Sequence, residues 1–396
     1  MADPDPIVIV GAARTAMGGM LGDFTDALAP DLGAGAIRAA LERAGVSGED
    51  VDEIIMGCVL PAGQGQAPAR QAGKAAGIPD AAGATTINKM CGSGMKAAMF
   101  GHDLLTAGSA EIAVVGGMES MTNAPYLLQK ARSGYRLGHG EIKDHMFLDG
   151  LEDAYDKGRL MGTFAEDTAQ KYQFTREQQD AYAIESLRRA RLANEDGTFN
   201  AEITPLTVKS RKGESVVKHD EQPGKADPTK IPGLKPAFRK DGTVTAANSS
   251  SISDGAAALV LMRQSEAEKR GLTPIARIVG HATHSQEPAW FTTAPIGAVN
   301  KLYEKTGWSR GDVDLFEVNE AFAVVAMAAI KELGLSHDIV NVHGGACALG
   351  HPIGASGARI VVTLLNALQK HGQKRGVAAI CIGGGEATAM ALELLH

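Results

Sequence analysis

The chain has few cysteines, few aromatics, no excess of positive charge and no long apolar run. Its 396 residues include only four cysteines, Cys58, Cys91, Cys347 and Cys381. None forms a C-x-x-C pair, and their spacing fits neither a zinc site nor a disulfide framework, so a reducing compartment is expected. The net charge of −7 excludes bulk attraction to nucleic acid or to an anionic membrane. No apolar run is long enough to cross a bilayer, so no membrane span is expected. The start, Met1-Ala-Asp-Pro-Asp-Pro, is acidic and lacks the basic and apolar regions of a signal peptide, which predicts a cytoplasmic protein. Aromatics make up 5% of the chain, against 48 glycines. That balance suits closely packed α/β layers joined by tight loops, and the length suffices for two or three cores.

What the chain does contain is a repeat. Residues 7–10 read as a strand, 32–44 as a helix stopped by Gly45, 51–56 as a strand, 66–77 as a helix and 112–115 as a strand. Gly11-Ala-Ala-Arg14-Thr15 lacks the second glycine of a dinucleotide loop, and that reading is rejected. The series Gly35-Ala36, Glu42, Gly45, Ser47, Asp50-Val51-Asp52 recurs as Gly297-Ala298, Glu304, Gly307, Ser309, Asp312-Val313-Asp314 at one constant offset. Further on, Ile87-Asn88 pairs with Val340-Asn341, and Gly116-Gly117 with Gly383-Gly384. The chain is therefore an α/β protein built from a duplicated β-α unit, with helices on both sheet faces. Residues 1–120 and 243–271 form the first copy and 272–396 the second. Residues 121–242 are an insert without a counterpart. The insert is more polar, carries a helix over about 176–194 opened by Thr175, and reads as an ordered loop over 209–236.

Four clusters carry candidate chemistry. Asn88-Lys89-Met90 runs into Cys91, followed by Gly92-Ser93-Gly94 and a helical pattern. Two readings of Cys91 stand on these residues. It is a nucleophile at a helix mouth, its pKa drawn from ~8.5 to ~7 or lower by the helix dipole and backbone N–H groups, or it is a buried, inert thiol. The second cluster is Asn319-Glu320-Ala321-Phe322-Ala323, after a strand at 314–318. The third runs from His343 through Gly350-His351-Pro352-Ile353-Gly354 to Ser356-Gly357. So glycine-rich a run cannot bury a large apolar face, which favours a functional role for His351 over that of a merely hydrogen-bonded loop histidine; His343 reads as structural or as support for a neighbouring site residue. The fourth is Cys381-Ile382-Gly383-Gly384-Gly385, whose N–H groups can form an oxyanion site. Cys58 reads as packing, and nothing gives Cys347 a proton-transfer task. His281 and His284 form H-x-x-H on a stretch read as irregular. With no third ligand nearby, no metal is expected.

These motifs, together with Gly116-Gly-Met-Glu119-Ser120, stand in the order found in thiolases. The chain resembles that family along almost its whole length, most closely the short-chain, biosynthetic-type acetyl-CoA acetyltransferases. The resemblance implies a five-layered α-β-α-β-α fold with an inserted loop domain that holds coenzyme A. It also implies reversible condensation of two acetyl-CoA to acetoacetyl-CoA and CoA, in ping-pong order through acetyl-Cys91. Cys91 resembles the acylated nucleophile, His351 its base, and Cys381 the thiol that moves the α-proton. Asn319 with His351 resembles one oxyanion hole, acting through a water, and the N–H groups of Cys91 and Gly383 the other. Leu151, Met161, Phe238, Ala246, Ser250, Ala321 and Phe322 match pantetheine and acyl contacts. Phe291 falls near a position where many members have a pocket methionine, and Leu160 where many have a histidine. Lys225 or Lys230 stands in for an arginine often found near the CoA nucleotide. No metal or redox cofactor is implied, coenzyme A being substrate and product. A homo-oligomer, a dimer of dimers joined through about 124–145, is implied. The alternative is a broader-chain 3-ketoacyl-CoA thiolase of β-oxidation. A decarboxylating condensing enzyme should lack the second cysteine, and a non-catalytic CoA-binding or thiol-sensing protein should form no acetyl adduct.

Overall fold

The computed structural model describes residues 5–211 and 213–396; the first four residues of the stretch read for a leader, and Lys212 of the insert, lie outside them. In strand β1 (Ile7–Arg14), Val8 and Val10 pack to one side and Ile7 and Ile9 to the other, as in a strand buried on both faces. The first copy continues with helices α1 (Ala29–Ala44) and α2 (Pro68–Ala75), strands β2 (Glu53–Gly57) and β3 (Gly83–Ile87), helix α3 (Ser93–Thr106) and strand β4 (Ile112–Ser120). The insert contains α4 (Met161–Tyr172) and α5 (Arg176–Glu195), and β5 (Ser253–Arg263) then completes the first sheet. The second copy comprises β6 (Ala276–Ser285), α6 (Ala294–Thr306), β7 (Leu315–Val318), α7 (Ala323–Leu333), α8 (Ser356–His371), β8 (Arg375–Ile382) and β9 (Glu386–Leu394).

The strand orders are β1-β5-β4-β2-β3 and β6-β9-β8-β7. Val340 bridges Phe316 in parallel at the place β3 holds in the first copy. Strand directions also match. β2 is parallel to β4 as β7 is to β8, and β4 is antiparallel to β5 as β8 is to β9. A short antiparallel contact, Val8 opposite Arg277 and Ile9 opposite Ala276, joins the two sheets. α1 and α2 cover the first sheet, α6 and α7 the second, and α3 and α8 lie between them, which makes five layers. α8 is buried from Ser356 through Leu368, as a helix in a middle layer must be. α3 and α8 touch at their first turns. A Cβ on Gly94 would lie 2.7 Å from Ala358 N, and one on Gly357 2.5 Å from Met95 N, so only glycine fits at either place.

The insert is more ordered than its composition suggests. α5 opens with the expected capping box, Gln178 N–H donating to Thr175 Oγ1 and Thr175 N–H to Gln178 Oε1. The segment read as a loop instead forms a hairpin (Leu206–Ser210 with Gly213–Val217), a short helix at Glu221–Lys225 and a 3-10 segment at Pro228–Gly233. Surrounding charges hid the β-branched alternation of this hairpin. Arg14 anchors the insert to β1. Its Nη1 and Nη2 donate to Asp220 at 2.7 and 2.8 Å, and its Nε donates to Glu202 at 2.6 Å, all buried. Losing one partner of such a group typically costs ~3–5 kcal/mol. The segment considered for a dinucleotide loop is thus the end of a strand. Among the described residues no helix is long and apolar enough to cross a membrane.

Candidate active site

The nucleophile candidate sits on a strained turn. Met90 is left-handed (φ 47°), which redirects the chain between β3 and α3. Ser93 Oγ accepts from Lys89 N–H at 2.8 Å and donates to the Met90 carbonyl at 2.6 Å, closing the turn. Lys89 pairs with Glu386 of β9 at 2.5 Å, and a Cβ on Gly92 would lie 2.3 Å from Ile382 Cδ1. The turn of the first copy is therefore pressed onto the second sheet. There the backbone N–H groups of Gly383 and of Cys91 itself face the Cys91 sulfur and favour its anionic form. These are the two donors that the resemblance groups as an oxyanion hole.

Cys91 differs from expectation in one respect. Burial pushes its thiol up to about 11, the two N–H groups oppose the rise, and Glu119 adds to it. Desolvation outweighs the helix N-terminus, so the resting sulfur is a thiol. His351 is also buried and neutral, pushed down to about 3 by burial and then by the charge of Arg359. Its Nδ1 lies 2.5 Å from Ser356 Oγ, whose hydroxyl donates to the Pro352 carbonyl at 2.9 Å. With that hydroxyl proton committed, Nδ1 carries the ring hydrogen. Nε2 is left with a free lone pair and no protein partner. Cys381 is fully buried at the end of β8, and its thiol is held well above the usual range by burial and by nearby Cys91. Asn319 follows β7 and is held by its N–H to the Ala379 carbonyl at 3.0 Å. Neither side-chain atom of its buried amide has a protein partner. Native structures retain such groups where something else completes them.

Two buried carboxylates hold these pieces in place. Glu119 accepts from the N–H groups of Gly354, Val59 and Leu60 at 2.8, 2.9 and 3.1 Å, tying β4 to the His351 loop. Burial nonetheless raises it to about 7. Glu320 accepts from Tyr182 and Ser186 of α5, from Asn341 Nδ2 and from Cys347 N–H, at 2.8 to 3.1 Å. This fixes the Asn319 turn against the insert.

A cavity of about 380 Å³ opens over the thiol. Cys91, His351 and Gly383 face it, and Leu151, Met161, Phe238, Ala246, Ser250, Phe291, Ala321 and Phe322 surround it. Asn319 and Cys381 are not on the wall; Cys381 is buried beside Cys91, and Asn319 precedes wall residue Ala321 by two positions. Ser250 donates through N–H and hydroxyl to the Ala321 carbonyl, at 3.0 and 2.9 Å. Phe238 meets Phe322 edge-to-face at 5.9 Å, and Phe291 meets Phe164 at 6.1 Å. A π-helical turn, Phe147–Leu151, supplies part of the wall, as does Leu160.

Other candidates lie elsewhere. Lys225 pairs with Glu221 and Lys230 with Asp227, and neither reaches the cavity. His343 is buried against His371, Cys58 lies 3.5 Å from Glu119, and the Cys347 thiol donates to the Glu320 carbonyl at 3.7 Å. His281 and His284 are on β6 rather than an irregular stretch. Residues three apart on a strand face opposite ways, and His284 bonds Gln286 instead. Ser356, Glu119, Glu320, Phe147 and Ile353 carry no role that the sequence alone assigns. The two acids were the legible signal, because a carboxylate inside a small-residue motif must be paired.

Comparison with known proteins defines the family. The description "Thiolase, N-terminal domain" matches residues 7–265 and "Thiolase, C-terminal domain" residues 272–394. The chain belongs to the thiolase family. It is 49% identical to an acetyl-CoA acetyltransferase of Rhizobium meliloti (strain 1021), over 100% of both chains. The crystal structure of the Bacillus anthracis acetyl-CoA acetyltransferase superposes with a TM-score of 0.96 at 41% identity, covering 99% of each chain. A thiolase from Ascaris suum in complex with coenzyme A superposes with a TM-score of 0.93 at 43% identity, covering 98% of this chain and 100% of that one.

Proposed function

We propose that this thiolase is an acetyl-CoA C-acetyltransferase, condensing two acetyl-CoA to acetoacetyl-CoA and CoA, with thiolysis as the reverse. The observation that carries the reading is His351 Nε2, without a protein partner, on the same cavity as the Cys91 thiol, whose anionic form the N–H groups of Cys91 and Gly383 favour. In thiolysis, Nε2 takes the Cys91 proton as Sγ attacks the 3-keto carbon, whose developing oxyanion faces the N–H groups of Cys91 and Gly383. The carbon–carbon bond breaks, and the acetyl-CoA enolate takes its proton from Cys381. His351, now protonated at Nε2, becomes a donor beside Asn319 for the enolate oxygen. CoA then collects the acetyl group, its thiol proton restores Cys381, and His351 returns its own to Cys91. Splitting the reaction at acetyl-Cys91 replaces one difficult step by two easier ones.

The assigned roles of Leu151, Met161, Phe238, Ala246, Ser250, Ala321 and Phe322 are contacts to the pantetheine and acyl group, with 121–242 as the module that holds coenzyme A. Phe291 lines the same wall, and the acyl-chain-length profile decides between the acetyl-specific and the broader-chain reading. The chemistry calls for no resident cofactor. A cytoplasmic homo-oligomer, a dimer of dimers, is the expected form. The exposed apolar side chains of Tyr126, Leu128, Leu137 and Ile142 within 124–145 support an assembly role, and light scattering tests it. The deciding experiment is an acyl-chain-length profile in thiolysis, with mass spectrometry of Cys91 after exposure to acetyl-CoA. An acetyl adduct on Cys91 and a strong preference for the four-carbon over the eight-carbon substrate are expected. Equal rates on both substrates, or normal turnover by Cys91→Ser, would refute it.

A further inference from the structure

Away from the cavity, three ligand-type atoms converge between the two copies. His102 and Asp103 lie near the end of α3, and His281 lies on β6. His281 Nε2 is 2.9 Å from Asp103 Oδ1 and 3.3 Å from His102 Nδ1; His102 Nδ1 is 3.2 Å from the same Asp103 oxygen. The atoms form a nearly equilateral triangle. Hydrogen bonding accounts well for only two of its sides. A proton on each nitrogen satisfies both contacts to Asp103, yet sets two N–H groups against each other along the third.

A cation satisfies all three sides. With ligand bonds of about 2.1 Å, adjacent donors on a metal stand about 3.0 Å apart in an octahedral shell and about 3.4 Å in a tetrahedral one. The observed sides, 2.9 to 3.3 Å, fall within about 0.1 Å of that interval, and an ion equidistant from the three atoms would sit about 1 Å above their plane. The two rings meet at 85°, so they do not stack, and both nitrogens converge on the carboxylate. The Asp103 side chain is 56% exposed and that of His281 9%, which leaves one side open to water ligands and the other firmly seated. Two imidazoles and one carboxylate suit zinc, cobalt or nickel rather than magnesium or calcium. Lys305, whose ammonium donates to the His281 carbonyl at 3.0 Å, is a nearby positive charge that tempers affinity.

We propose that His102 Nδ1, Asp103 Oδ1 and His281 Nε2 form a binding site for a zinc-like divalent transition-metal ion. The ion would cross-link α3 to β6 and so staple the first copy to the second. The site lies about 15 Å along α3 from the Cys91 turn, so it acts as a clamp and takes no part in the chemistry.

The test is titration of the full chain with cobalt(II), read by absorption. One equivalent is expected to bind with visible d–d bands and without a thiolate charge-transfer band. Asp103→Asn and His281→Ala are expected to weaken binding by more than about tenfold, while Cys91→Ala leaves binding unchanged. Asp103 is exposed, so its variant remains informative if the His281 variant fails to fold. Zinc should raise the Tm of the parent chain and not that of Asp103→Asn. The proposal is overturned by the absence of saturable binding or by full binding in Asp103→Asn. Binding with a charge-transfer band that disappears in Cys91→Ala overturns it equally.

Discussion

The two copies place the same turn at the centre of the molecule and load it differently. In the first, Cys91-Gly92-Ser93-Gly94 enters α3; in the second, Gly354-Ala355-Ser356-Gly357 enters α8. Each serine hydroxyl donates to a carbonyl just upstream, Met90 or Pro352. Ser93 also accepts a backbone N–H and only shapes its turn, whereas Ser356 accepts the Nδ1 hydrogen of His351. The sheet ends differ likewise. Gly117 of β4 is small so that the His351 loop can lie on it, a Cβ there falling 2.1 Å from the Gly354 carbonyl, while Gly116 keeps close to β5, a Cβ there falling 2.0 Å from the Ala257 carbonyl. The matching end of β8 presents Cys381 and Gly383. On the proposed mechanism, one copy supplies the nucleophile, and the other supplies the base, the second thiol and the amide.

That division can be broken from either side. Cys91→Ala and His351→Ala each disable one copy's contribution; the first should abolish turnover and the second should lower kcat by about 10³-fold. A His351 variant that keeps a substantial fraction of wild-type kcat would mean that the second copy does not activate the first. Asn319→Ala should cost about 10²–10³-fold in kcat by removing one donor to the enolate oxygen, while acetylation of Cys91 by acetyl-CoA, which forms no enolate, persists. Loss of that acetylation as well would place Asn319 in the acetyl transfer from acetyl-CoA and not only in the carbon–carbon step. Ser356→Ala should lower kcat roughly tenfold with KM and Tm little changed, less than removal of a charged orienting group would cost. An equal fall in Tm would reduce Ser356 to a structural residue like Ser93. The smallest effect lies in pH. Because burial raises Cys91 to about 11 and lowers His351 to about 3, the thiolate fraction grows tenfold per pH unit below the thiol pKa. Alkylation of Cys91 by iodoacetamide should therefore keep rising through pH 9, and a plateau near pH 7 would instead show a thiolate–imidazolium pair.

Much of this site was legible because Cys91, Asn319, His351 and Cys381 stand at glycine turns after apolar strands, where packing alone does not call for a thiol, an imidazole or an amide. The duplication was legible because strand ends and turns kept their spacing. What escaped depended on burial or on distant partners. The direction of the Cys91 shift depends on the apolar wall around the sulfur, which only the folded chain assembles. Glu119 and Glu320 acquire donors from residues up to 235 positions away. The His102–Asp103–His281 cluster was not legible in sequence because its members lie on a helix of one copy and a strand of the other.

The placement of β5 also governs how the chain can be made. β5 lies between β1 and β4, yet it is translated after the whole insert. Until Ser253–Arg263 emerges from the ribosome, β1 and β4 have no partner between them, and their apolar edges remain open. At ordinary elongation rates that interval is on the order of ten seconds. During synthesis the nascent first copy is thus an incomplete sheet in need of protection, and the buried Arg14–Asp220 lock cannot close before most of the insert is made.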